Sequence, residues 1–61
     1  MENNNVIKLM KQIEDEFAVS CHDSVKFVQG NNSAGTRVRK AMQSIKNLAQ
    51  EVRKEVQEQK N

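Results

Sequence analysis

The sequence predicts an all-α fold: an antiparallel two-helix hairpin that dimerises into a coiled-coil-like four-helix bundle. Three observations carry this expectation. Apolar residues recur at spacings of three and four in both halves of the chain. A glycine and asparagine break, Gly30-Asn31-Asn32-Ser33, separates the two halves. And 61 residues with a single cysteine, too few for an internal disulfide, make a marginal core that asks for a partner chain. One domain therefore covers residues 1–61, with a helix over about 5–29, a turn over about 30–33 and a second helix over about 34–58.

The polar lead-in ends in Asn3, Asn4 and Asn5, all suited to cap a helix N-terminus. From there Val6, Met10, Ile13, Phe17, Cys21, Val25 and Val28 fall on one face, widened by Ile7, Leu9, Ala18 and Phe27. Glu14, Asp15 and Glu16 sit mid-helix, where they read as a solvated acidic face. Gly30 follows the last apolar residue, where a left-handed residue ends a helix. Asn32 or Ser33 can cap the next helix, and so short a link makes the two helices antiparallel.

The second helix has the cleaner period, Ala34, Val38, Ala41, Ile45, Leu48, Val52 and Val56. Gly35, costly inside a helix, points to a close crossing beside the turn. The candidate core and oligomer stripe is Val6, Met10, Ile13, Phe17, Val25, Val38, Ala41, Ile45, Leu48 and Val52.

Charge is divided unevenly. Residues 1–30 carry three lysines against five acids, whereas residues 31–61 carry seven basic residues against three acids. With Val38, Ile45 and Val52 at heptad position a, position b holds Arg39, Lys46, Arg53 and Lys60. Position c holds Lys40, Asn47 and Lys54, and position f only glutamines. Seven residues of helix rise about 10.5 Å, so this row repeats along the axis and can follow a polyanion. Arg37, Arg39 and Lys40 have no acid at helical spacing on their own helix. They are the best local candidates for phosphate contact. No aromatic residue interleaves the basic ones, so contact falls on the nucleic-acid backbone rather than on stacked bases. The bland reading is a solvated helix face, in which Arg53 or Lys54 pairs with Glu51, Glu55 or Glu58.

Catalysis finds no grouping here. Cys21 and His22 are adjacent, so they point about 100° apart on a helix, and no third group orients either. Cys21 reads as a small core residue, and Met10 and Met42 read as core fillers. One histidine with one cysteine cannot make a zinc cage, and two glycines in a turn do not make a phosphate loop. No enzyme, cofactor, metal or small-molecule substrate is expected. Without an apolar run of roughly 18 residues or a leader, the expectation is a soluble intracellular chain.

At Gly30-Asn31, Ser33-Ala34-Gly35, Arg37-Val38-Arg39-Lys40 and Arg53-Lys54-Glu55 the chain resembles the bacterial histone H1-like family of the Hc1 type. The resemblance covers about half the chain well, and the first helix only in general character. It implies DNA binding and chromosome compaction in a bacterial, cytoplasmic and nucleoid-associated setting. Chlamydial members continue into a lysine-, alanine- and proline-rich tail that is not in this sequence, so short tail-less relatives are the nearer comparison. Two hypotheses follow. In the first, Arg37, Arg39, Lys40, Lys46, Arg53 and Lys54 contact the phosphates of double-stranded DNA without sequence preference, from a homo-oligomer, with a dimer favoured. In the second, the hairpin is a protein-interaction module and the basic row keeps it soluble. A leftover exposed apolar groove favours the second; a closed bundle favours the first.

Overall fold

The computed structural model describes residues 3–60. Two helices, α1 (Asn5–Val28) and α2 (Asn32–Lys60), pack side by side, and no strand occurs among the described residues. Helix α2 starts two residues earlier than expected and runs to Lys60.

Each end has an identifiable cause. Asn4 is extended, and its side chain accepts from the Val6 N–H at 2.8 Å, capping α1. At the other end the Gly30 N–H donates to the Phe27 carbonyl (2.9 Å) and the Asn31 N–H to the Lys26 carbonyl (3.0 Å). That pair of bonds is a Schellman closure, and it requires a left-handed residue, supplied by Gly30 at φ 109°. The cap of α2 differs from expectation. Asn31, not Asn32 or Ser33, accepts from the Ala34 N–H (3.1 Å), because the Schellman closure already places Asn31 just ahead of the first helical turn.

Four side-chain pairs cross the hairpin; Asn4 and Gln59 close its open end at 2.9 Å, and the other three fix the antiparallel register. Asn5 donates to Glu55 at 2.8 Å, Ser44 donates to Glu16 at 3.0 Å, and Arg37 bonds Asp23 at 3.0 to 3.1 Å. In each pair the residue numbers add to 60, so the register holds from the turn to the open end. Steps of seven and eleven residues separate the members on each helix. Both steps come close to whole turns at 3.6 residues per turn, so the three pairs line one edge as a polar ladder.

The ladder changes which face of α1 is inside. Val6, Leu9, Ile13 and Glu16 are half-buried, and Ser20 and Asp23 are buried. Met10, Phe17 and Val25, expected in the stripe, are exposed, Phe17 by 58 %. Cys21 and Met42 are exposed too, and Glu16 is not fully solvated. The physical reason lies in small side chains near the turn. Ser20, Ala34, Ala41 and Ser44 let the helices approach there, and Glu16 and Asp23 take cross-helix partners in place of bulky apolar contacts. The richest apolar line of α1 is thereby turned aside by about a quarter turn. On α2, Val38, Ala41, Ile45, Leu48 and Val52 are half-buried and Ala34 is fully buried.

Gly35 is explained by a ring. A β-carbon built there would lie 2.6 Å from Cδ1 and 2.8 Å from Cε1 of Phe27, so the aromatic side chain occupies the space a side chain would fill. Gly35→Ala is expected to destabilise the hairpin by roughly 1 kcal/mol, the low end for overpacking. In a Phe27→Ala background the same change should stabilise it by about 0.5–1 kcal/mol through helix propensity. Denaturant unfolding followed by circular dichroism checks the reversal of sign.

Candidate nucleic-acid interface

The α-helix spaces the cations of α2, and its packing on α1 sorts them. Arg37, Arg39, Lys40, Lys46, Arg53 and Lys54 are all exposed. Arg39, Lys46, Arg53 and Lys60 repeat every seven residues and span about 32 Å of helix. They lie on the side of α2 away from the polar ladder. Among the described residues none of Arg39, Lys40, Lys46 and Arg53 forms an ion pair or a side-chain hydrogen bond. Each keeps its full donor set for an external anion.

The acids are placed to leave this row open. Glu55 is half-buried and turned towards α1, where it accepts from Asn5. Glu51 approaches Lys54 at 3.8 Å, a surface contact of little consequence for stability. Asp15, Glu16 and Asp23 of α1 share a groove with Arg37, Lys40 and Ser44, on the ladder side. Lys40 therefore sits between an acidic groove on one side and, on the other, a shallow concavity that it shares with Thr36, Arg39 and Gln43.

Arg37 is the most constrained of the six. Its Nε donates to Asp23 Oδ1 at 3.1 Å and its Nη2 lies 3.0 Å from the same oxygen. The Asp23 residue is only 7 % exposed, whereas the Arg37 side chain is 49 % exposed. The hydrogen bond from Arg37 holds the Asp23 carboxyl below its ordinary value, against a smaller opposing effect of burial. Sequence reasoning missed this acid because it searched α2 alone. The available signal was the seven-residue step from Glu16 to Asp23, two acids on the same line of α1.

A family model described as histone H1-like protein Hc1 matches residues 7–61. The chain belongs to that family. The match extends beyond the short motifs of the turn and α2 to take in nearly all of α1, where the resemblance to the family is one of general character. No curated protein matches the chain, and no solved structure matches it. In this histone H1-like chain the described residues hold no group of three or more metal-ligating side chains. Among the same residues no helix is long and apolar enough to cross a membrane.

The lowered Asp23 value gives a signed pH dependence. A carboxyl that ionises more readily when folded adds stability above its unfolded value of about 3.9. That stability is lost as pH falls through the lower folded value. The melting temperature of the parent should therefore drop between about pH 4 and pH 2, and the drop should be shallower in Asp23→Asn. Thermal melts across that range measure it.

Proposed function

We propose that this chain binds double-stranded DNA through the phosphate backbone, without sequence preference, as a non-enzymatic nucleoid protein contributing to chromosome compaction. It would do so as a homodimer in the bacterial cytoplasm. The observation that carries the reading is the open basic row: cations in heptad register, without ion partners, over a length close to one turn of B-DNA, about 34 Å. Membership of a histone H1-like family supports it.

The physics is counterion release. Arg39, Lys46 and Arg53 would neutralise phosphates directly, with Lys40 and Lys54 on the flank and Arg37 at the N-terminal end of α2. Arg37 has a second duty as the partner of Asp23, so its removal strands a buried carboxylate as well as a cation. The absence of aromatic residues on the row favours a backbone-directed contact.

A second reading, a protein-interaction module, is favoured by the exposed apolar residues of α1. The two readings separate on DNA. Anisotropy titrations of random duplex DNA at several salt concentrations should give a slope of log affinity against log salt near −0.9 per phosphate contacted. Replacing Arg39, Lys46 and Arg53 together by alanine should flatten that slope by about 2.7 and leave helicity intact. A folded parent that binds no DNA at low salt, or a triple variant with an unchanged slope, would sink the DNA reading and leave the interaction module.

A further inference from the structure

Four donor side chains meet on the outermost line of α2 without an acceptor among them. Thr36, Arg39, Lys40 and Gln43 are all exposed and together line one shallow concavity. Their spacing is i, i+3, i+4 and i+7, the diamond of positions that encloses a hole on a helix surface. Arg39 and Lys40 form its sides, and Thr36 and Gln43 close its ends. At about 100° per residue, the line from Thr36 to Gln43 falls opposite Ala34, Ala41 and Ile45, which are turned towards α1. Ser20 and Ser24 donate their hydroxyls to backbone carbonyls one turn back, and Ser44 donates to Glu16. Thr36 has no such bond among the described residues, and neither have Arg39, Lys40 and Gln43. No acid belongs to the diamond. The acids nearest Lys40 lie across the ridge of α2, in the groove with Asp15, Glu16 and Asp23.

We infer that this diamond is a seat for one phosphodiester of DNA, in which Thr36 and Gln43 add neutral hydrogen bonds to the charges of Arg39 and Lys40. The inference rests on the DNA reading above and gives the basic face a fixed point. A cation attracts a phosphate from any direction, so a row of cations alone leaves the duplex free to slide along it. Hydroxyl and amide donors act only at hydrogen-bond distance, and they fix where the backbone rests. The unesterified oxygens of a phosphodiester offer lone pairs in several directions, enough for donors arriving from four sides.

The seat has a second, weaker copy. Gln50, Arg53, Lys54 and Gln57 repeat the pattern two heptads on, about 21 Å along the axis. There Lys54 approaches Glu51 at 3.8 Å, and Glu58 follows one turn later. These acids lower the positive potential at that end of α2. The stronger contact therefore belongs to the end beside the turn.

Substitution separates the two kinds of contact. Anisotropy titrations of duplex DNA over a salt series, in phosphate-free buffer and with circular dichroism of each variant, test the seat. Thr36→Val and Gln43→Met are near-isosteric changes at exposed positions. Each should lower affinity about fivefold at every salt concentration, with the slope unchanged, because neutral donors release no counterions. Arg39→Ala should instead flatten the slope by about 0.9. Gln57→Met, in the weaker copy, should have a smaller effect than Gln43→Met. If Thr36→Val and Gln43→Met bind as well as a parent that shows the full salt slope, the seat is overturned and the DNA reading stands. An equal loss in Gln57→Met overturns its place beside the turn. If a few millimolar inorganic phosphate, at matched ionic strength, erases the difference between parent and Thr36→Val, the concavity takes the free anion and its assignment to DNA is overturned. A folded parent that binds no DNA removes the underlying reading and the seat with it.

Discussion

The polar ladder between the two helices is the constraint on which the rest of the molecule depends. Asn5 with Glu55, Glu16 with Ser44 and Asp23 with Arg37 tie the helices at three levels along one edge. A purely apolar seam between two helices is tolerant of sliding and rotation, because one aliphatic contact substitutes readily for another. Directional bonds are not tolerant in this way, and a half-buried acid left without its partner is costly. The ladder therefore sets both the register and the face that α1 turns inwards. The Schellman closure at Gly30 makes the reversal tight enough for the rung nearest the turn to form.

What the ladder costs is hydrophobic burial. With Glu16, Ser20 and Asp23 facing α2, the bulky residues of α1 are left on the adjoining side, and the lone hairpin has almost no enclosed core. The marginal stability expected of a 61-residue chain thus takes a definite form here. The deficiency falls mainly along a line of one helix, bordered by methionine and valine of the other, with Val19 exposed in the groove on the ladder side as well.

The same geometry organises the charge. The acids of α1 that accompany the ladder meet Arg37 and Lys40 on one side of the hairpin, while Arg39, Lys46 and Arg53 lie on the other, clear of them. A chain with a net charge of only +2 can in this way present a row of cations to a polyanion. Three of the six candidate cations have acidic neighbours in the folded chain, Arg37 in a direct ion pair, Lys54 loosely and Lys40 across a groove, and so their roles are not equivalent to the rest. Arg37 serves the hairpin first.

Much was legible in the sequence, and the reason is local. Helix type follows from spacings of three and four. The reversal follows from Gly30, whose missing side chain allows the positive φ. The heptad row of cations follows from 3.6 residues per turn alone. The family could be recognised from a few short motifs around the turn. Tertiary structure decided the rest: which side of α1 is inside, that Cys21, Met10 and Met42 are exposed, that Asn31 is the cap, and that Asp23 claims Arg37. A hydrophobic period measures where apolar residues lie around a helix, but not the angle at which another helix arrives. That angle was set by pairs 14, 28 and 50 residues apart, a separation at which no periodicity within either helix carries information.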